Sequence, residues 1–162
     1  MKTTMRVLLV GAAGGYAAGK VMDRATTWFY QRQSDASKQR EGELLPGGAP
    51  MASARKLARL VGVEPTDAQA GQLATTLHQS LGQLYGVGAA SLMRAGVPPV
   101  AAGITTGVAG LLLVDELANS MFFTPPPQAY PFESHLRGVV GHLSFGAALG
   151  LLLTLARRLR LL

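Results

Sequence analysis

Pairs of glycines spaced four residues apart recur in all four long apolar segments of this sequence. The glycines of these pairs are Gly11, Gly15 and Gly19 in the first segment, Gly82 and Gly86 in the second, Gly103 and Gly107 in the third, and Gly146 and Gly150 in the fourth. This spacing places both glycines on one face of an α-helix. In water a glycine inside a helix costs about 1 kcal/mol relative to alanine, whereas in lipid it lets two helix backbones approach closely. The pattern therefore predicts tightly packed helices in a membrane.

The apolar segments predict four helices in a single domain that spans residues 1–162. We expect these helices at about residues 5–30, 68–94, 100–123 and 135–155. The stretch 31–66 is polar and predicts a loop, with a short basic amphipathic helix from Pro50 to Val63 that either lies on an anionic membrane surface or packs on the protein. Charged residues make up only 15% of the chain, against about 25% in soluble domains. The predicted fold class is therefore all-α, an integral membrane bundle of about four Gly-rich transmembrane helices.

The two halves of the chain resemble each other. Gly11, Gly15, Ala18 and Asp23 of the first helix match Gly103, Gly107, Gly110 and Asp115 of the third helix at one constant offset. Leu77, Gly82 and Leu84 of the second helix match Leu136, Gly141 and Leu143 of the fourth helix more loosely. These matches predict two repeated helical hairpins, an arrangement that in membrane proteins tends to place polar sites between the repeats.

Ionisable side chains interrupt the predicted helices at similar depths. The predicted intramembrane polar cluster consists of Lys20, Asp23, His78, Asp115, Glu116 and His142. With a rise of about 1.5 Å per residue, one ionisable residue from each helix falls roughly 10 to 15 Å inside the same face of the bundle. Two interpretations stay open. Either these groups form ion pairs that fix the register of the helices, or they form a site that exchanges protons or holds a cation.

Composition and spacing exclude several kinds of site. The chain has no cysteine, which rules out disulfides, thiolate metal sites and cysteine nucleophiles. No residues stand at the spacing of a zinc site, a phosphate loop or a nucleophile elbow, so we expect no metal, no cofactor and no enzymatic activity. The one cofactor alternative is a haem b held between His78 and His142. The net charge of +6 comes from basic residues that flank apolar segments, so a nucleic-acid partner is not expected.

Two short motifs resemble those of a known family. They are GYAAGKVMDR at residues 15–24 and HLRGVVGHLSFG at residues 135–146. Together they resemble the YagU-like family of small bacterial inner-membrane proteins. The resemblance implies a multi-pass protein of the bacterial inner (cytoplasmic) membrane, with a suggested link to acid stress, and it supplies no catalytic residues.

Two functions are compatible with these features. The first is that of an accessory or interaction subunit of a membrane complex, which contacts the lipid bilayer and binds a protein partner or a second copy of itself through its Gly-rich faces. The alternative is a small transporter or channel-like protein with an intramembrane Asp/His site for protons or a cation. The accessory role predicts that the polar residues are paired with one another, whereas the transport role predicts that they line a cavity.

Overall fold

The computed structural model describes residues 3–162, and every regular element in this range is helical. In chain order the helices are α1 (Thr3–Arg32), α2 (Asp35–Leu44), α3 (Gly48–Leu60), α4 (Asp67–Arg94), α5 (Pro99–Phe122) and α6 (Phe132–Arg158). A single turn of 3-10 helix, Pro127–Ala129, precedes α6. The all-α prediction is confirmed, and the four long helices begin and end within a few residues of their predicted bounds.

The stretch 31–66 contains more helix than the sequence predicted. Ser34 caps the start of α2, because its hydroxyl accepts a hydrogen bond from the backbone N–H of Ser37 at 3.3 Å. The prediction of a loop was wrong for residues 35–44, where alanine, lysine, glutamine, arginine and glutamate, all good helix formers, outweigh the polarity of the segment. The predicted amphipathic helix is present as α3, which packs against α4.

The four long helices form a ring in which each packs against two neighbours. α1 lies between α4 and α6, and α5 lies between the same two helices. We call α1 and α4 the first hairpin, and α5 and α6 the second hairpin. The two hairpins meet through two corresponding interfaces, α1 with α6 and α4 with α5, as expected for a duplicated unit with its copies related by an axis along the helices.

Glycines bring the two backbones of the first hairpin into direct contact. A Cβ atom on Gly11 would lie 2.7 Å from the Cα of Val87, and one on Gly86 would lie 2.7 Å from the Cα of Gly15. Such distances are too short for any side chain, so α1 and α4 can approach this closely only with glycine at the crossing. Gly19 differs from its neighbours, because nothing lies within 4 Å of the position of its Cβ.

The second hairpin repeats this close approach. A Cβ on Gly103 would lie 2.6 Å from the backbone nitrogen of Gly150, and one on Gly146 would lie 2.8 Å from the carbonyl oxygen of Gly103. A Cβ on Gly107 would lie 2.5 Å from the carbonyl oxygen of His142. The glycine pairs of each hairpin therefore face each other within one chain.

The surface of the second hairpin is apolar. Within residues 3–162, α5 and α6 are the two helices both long and apolar enough to cross a membrane. α1 and α4 are long enough but more polar, so length and hydropathy mark two spans where the sequence predicted about four. Large apolar side chains of the second hairpin that are more than half exposed include Leu112, Leu113, Met121 and Leu151.

The second part of α5 departs from α-helical geometry. Residues Gly110–Ala118 form a π-helix that carries Asp115 and Glu116. The matching part of α1 is a regular α-helix. Departures of this kind are frequent at functional sites, and here the departure distinguishes the two hairpins at their acidic residues.

Candidate functional site: a polar cavity between the two hairpins

A cavity of about 630 Å³ lies between the hairpins, and α3 and the segment before α6 contribute to its wall. All six residues of the predicted polar cluster line this cavity: Lys20, Asp23, His78, Asp115, Glu116 and His142. The cluster comes together because the acidic residues follow the glycine pairs of α1 and α5, while the histidines precede the glycine pairs of the antiparallel helices α4 and α6. The helix crossings thus hold both kinds of residue at one level.

The first hairpin contributes one hydrogen-bonded Asp–His pair. Nε2 of His78 lies 3.0 Å from Oδ1 of Asp23. An ionised carboxylate can only accept hydrogen bonds, so Nε2 is the nitrogen that donates. The ammonium group of Lys20 lies 3.7 Å from the other carboxylate oxygen of Asp23. The negative charge of Asp23 is therefore compensated by a fixed positive charge on the same helix.

The second hairpin contributes an equivalent pair that is more deeply placed. Nε2 of His142 donates to Oδ2 of Asp115 at 2.8 Å. The side chain of His142 is only 7% exposed, whereas that of His78 is 41% exposed. The Asp115 side chain remains 45% exposed on the cavity side. In its neutral form, His142 keeps Nδ1 as an additional acceptor.

The two pairs reveal a repeat that differs from the predicted one in the even helices. His78, Gly82 and Gly86 of α4 correspond to His142, Gly146 and Gly150 of α6, because each set faces the matching residues of its own hairpin. The predicted match of Gly82 with Gly141 was therefore wrong. Gly141 instead faces α1, where a Cβ would lie 2.6 Å from a methyl carbon of Thr26. The correct register was readable as His-x3-Gly-x3-Gly, which occurs once in each of these helices.

Glu116, beside Asp115, binds a histidine that the sequence did not single out. Its Oε1 lies 3.1 Å from Nδ1 of His135, and Nε2 of His135 lies 3.0 Å from the carbonyl oxygen of Pro127. Both partners are acceptors, so both hydrogen bonds form together only when the imidazole carries two protons. When the imidazole carries both protons, its charge balances that of Glu116.

A separate polar network joins α2 to the start of α6, at the rim of the cavity. Arg137 donates to Oε2 of Glu41 at 2.8 Å and to the side-chain oxygen of Gln33 at 2.8 Å. Ser134 also hydrogen-bonds to Glu41. Burial acts to raise the pKa of Glu41, but the hydrogen bonds from Ser134, Arg137 and Gln33 and the charge of Arg137 outweigh burial and lower this pKa below 4.5. Arg137 is thus bound to Glu41 and not to the aspartates of the cluster.

Two residues of the cavity wall, Tyr85 and Tyr130, have a buried hydroxyl without a hydrogen-bond partner among the residues described. Tyr85 lines the cavity, and its hydroxyl is shielded from solvent without a hydrogen bond among the residues described. The rings of Tyr85 and His142 meet over Gly110, since a Cβ there would lie 3.1 Å from the first and 3.2 Å from the second. Sequence reasoning missed Tyr85 because a tyrosine in an apolar helix resembles a packing residue.

The histidines offer little support for the haem alternative. Nε2 of both His78 and His142 is occupied by a carboxylate. In the part of the chain from residue 3 onward, no group of three or more histidine, aspartate or glutamate side chains is arranged to hold a metal ion.

Comparisons with known proteins add no relative. No protein-family model matches the chain, no curated protein is significantly similar to it, and no solved structure matches its fold. The resemblance to the YagU-like family accordingly stays a prediction from two short motifs.

Proposed function

We propose that this protein is a multi-pass protein of the bacterial inner membrane and acts as a small transporter or channel-like protein. In this proposal the cavity between the hairpins is a proton-responsive binding site for a small solute. The observation that carries the proposal is the pair of equivalent Asp–His hydrogen bonds, one from each repeat, on the wall of a single cavity. Duplicated polar sites that meet between repeats are typical of transporters.

The distribution of large apolar side chains supports lipid as the surrounding medium. Among the largest side chains, those of Phe145, Leu149 and Leu153 are fully buried, whereas many leucines of α5 and α6 face outward. A soluble monomer rarely exposes a continuous apolar surface of this kind. Small residues between helices and large apolar residues outside are characteristic of helix packing in membranes.

The polarity of α1 and α4 is compatible with four membrane spans. Lys20, Asp23 and His78 are among the residues that lower the hydropathy of these helices, and all three line the cavity. Ionisable groups inside a membrane are tolerated when they face a water-filled cavity or one another. α1 and α4 can therefore cross the bilayer as part of the bundle although neither has the hydropathy of an independent span.

The chemistry of the pairs supports a response to protons. Histidine is the side chain whose ordinary titration range lies nearest to physiological pH. Proton uptake by His78 or His142 would turn a net negative Asp–His pair into a neutral ion pair and would thereby change the charge of the cavity. A cavity of about 630 Å³ also lies within the range of small-molecule binding sites.

The alternative role of an accessory subunit is supported less well. That hypothesis needs Gly-rich faces free to bind a partner. Gly11, Gly86, Gly103 and Gly146 all lie against a neighbouring backbone of the same chain. The mutual pairing of the polar residues is what this role predicts. An accessory role would nevertheless need a different contact surface, and the Asp–His pairs would then be purely structural.

Reconstitution into liposomes tests the proposal. With a membrane potential set by potassium and valinomycin, vesicles containing the protein should acidify faster than empty vesicles, as followed by an internal pH-sensitive dye. The double variant Asp23→Asn/Asp115→Asn should slow this acidification by about fivefold or more, because it removes the ionisable partner of both histidines.

Asp35→Asn is the matched control, since Asp35 is fully exposed on α2 and outside the cavity. This variant should retain the wild-type rate. A wild-type rate equal to that of empty vesicles would contradict the transport proposal. A chain that stays monodisperse in buffer without detergent would contradict the membrane assignment itself.

A further inference from the structure

We propose that the second hairpin contains a binding site for an organic cation with an apolar or aromatic body. Asp115 and Tyr85 bind the ammonium group of this cation. This inference rests on the proposed function and specifies the class of its solute. It is carried by the difference in charge between the two Asp–His pairs and by an unsatisfied hydroxyl beside the second one.

Asp115 is the cavity aspartate that lacks a fixed positive partner. Asp23 lies 3.7 Å from the ammonium group of Lys20. The residue of the second hairpin that corresponds to Lys20 is Leu112. Within residues 3–162, His142 is the basic group in ion-pair distance of Asp115. With a neutral imidazole, the site around Asp115 therefore has a net negative charge that a cation would neutralise.

The other charged groups of this part of the wall do not remove that charge. Glu116 is bound by His135, and Arg137 is bound by Glu41. The Glu41–Arg137 pair is neutral. The Glu116–His135 pair is neutral when the imidazole is protonated and has a net negative charge when it is not, which adds to the negative charge of Asp115. Asp115 thus remains the group with which a soluble cation would pair.

Tyr85 supplies the second observation. A buried hydroxyl without a partner costs about 1 to 3 kcal/mol, so such groups commonly bind a water or a ligand. Tyr85 is packed with its ring edge-on to Phe145, with 6.2 Å between ring centroids, and it meets His142 over Gly110. In the proposed site a shift of the Tyr85 ring brings this shielded hydroxyl to the cavity, where its oxygen accepts a hydrogen bond from an ammonium N–H while the carboxylate of Asp115 accepts another.

The remaining wall favours an organic body over a bare metal ion. The cavity volume far exceeds that of one ion, and aromatic and apolar side chains contribute most of the wall around the pairs, including Tyr16, Phe123 and Phe145. Aromatic faces attract cations in a partly dry site. A substituted ammonium compound matches both the charge of Asp115 and this apolar surface.

Binding of phenethylammonium to the purified protein tests this inference. Equilibrium dialysis in neutral phosphatidylcholine nanodiscs should show saturable binding of phenethylammonium and none of phenylacetate, which has a similar apolar body with the opposite charge. Asp115→Asn should weaken binding by about tenfold or more, and Tyr85→Phe by about threefold or more, as expected for a charged and a neutral hydrogen-bond partner. Asp35→Asn, which changes an exposed carboxylate of α2 outside the cavity, is the matched control and should leave the affinity unchanged. Asp23→Asn examines the other hairpin and should weaken binding less than Asp115→Asn, because Asp23 is not part of the proposed ammonium site.

A second variant keeps the test independent of the folding of Asp115→Asn. Asp115→Glu keeps a carboxylate at this position of the cavity wall. It should bind phenethylammonium within about threefold of the wild type, and a loss of binding equal to that of Asp115→Asn would overturn the inference.

The outcomes separate this inference from the function on which it rests. Proton movement in liposomes without binding of phenethylammonium would overturn the inference and leave the proposed function standing. Equal loss of affinity in Asp23→Asn and Asp115→Asn would also overturn it, because the ammonium group would then not bind specifically at the second hairpin. Binding without proton movement would support the site and contradict the transport proposal.

Discussion

The two hairpins share their packing but not their charge. In both, glycine pairs bring the backbones together and an Asp–His hydrogen bond follows at the same level. Around the first aspartate, however, stand Lys20 and Arg24, whereas Leu112 and Glu116 occupy the corresponding positions around the second. The comparison indicates that glycine contacts and the Asp–His pair are what the hairpin architecture needs, and that the neighbouring charges are free to differ.

The pairs also differ in their burial. The side chain of His142 is buried beside Gly110, while that of His78 remains partly accessible. A hydrogen bond to a charged group contributes more when it is shielded from water, and an exposed pair contributes little. We therefore expect the two chemically identical pairs to differ in strength.

The largest expected effect concerns the feature that the hairpins share. Gly86→Ala in the first hairpin and Gly103→Ala in the second should each lower the free energy of unfolding by about 2 to 3 kcal/mol, because the new Cβ would overlap a rigid backbone. Equilibrium unfolding in mixed micelles of detergent and SDS measures this quantity. Gly88→Ala is the control, since nothing lies near its Cβ position. A large loss in one hairpin alone would break the equivalence.

The second prediction concerns the depth of the two pairs. His142→Ala should lower the free energy of unfolding by about 2 kcal/mol, because it leaves the carboxylate of Asp115 without its partner and opens a buried space. His78→Ala should cost less than about 1 kcal/mol, since that pair is partly exposed. The same unfolding titration compares them, and equal losses would show that burial does not distinguish the pairs.

The third prediction concerns the contact that ties the long connection of the first hairpin to the second hairpin. Glu41→Gln should lower the free energy of unfolding by about 1 to 2 kcal/mol at pH 7, because it removes charge-assisted hydrogen bonds from Arg137. The pKa of Glu41 is lowered from 4.5 in the folded protein. The ionised carboxylate therefore contributes fully to the free energy of unfolding at a pH well above 4.5, and this contribution is lost as the pH falls through the lower pKa of the folded state. The difference in stability between the wild type and the variant should therefore shrink on acidification below pH 4.5, and a constant difference would contradict this account.

The smallest effect is expected at the charge that distinguishes the hairpins. Lys20→Leu gives the first hairpin the residue found at the matching position of the second. It should change the free energy of unfolding by less than about 0.5 kcal/mol, because the Lys20–Asp23 pair is long and half-exposed on both sides. A larger change in the SDS titration would show that Lys20 contributes to folding and not only to the charge of the cavity.

Most of the fold could be predicted from the sequence because its determinants are local. Apolar segment length, prolines near helix starts and the Thr66 cap before α4 fix the four long helices within a few residues. Of the candidate site, the six clustered residues could be predicted, because glycine register and helix rise place them at one level. Their partition into pairs could not be read from spacing alone.

The rest depended on contacts between distant segments. The helix α2 was missed because its polar sequence carries no apolar period, and it is held by Arg137, about a hundred residues later in the chain. The π-helix around Asp115 has no signal in the sequence, since the distance from the glycine pair to the aspartate is the same in both halves. Tyr85 and His135 gain significance only from what they face.

The ring of helices has a consequence for how such a chain could arise. Because α1 with α6 and α4 with α5 are corresponding interfaces, a single hairpin could assemble with a second copy of itself into a symmetric dimer that encloses the same space. In such an ancestor every substitution would appear twice, once on each side. Joining two such copies into one polypeptide would end that constraint, so that one half could carry Lys20 beside its aspartate while the other carries Leu112 at the matching position.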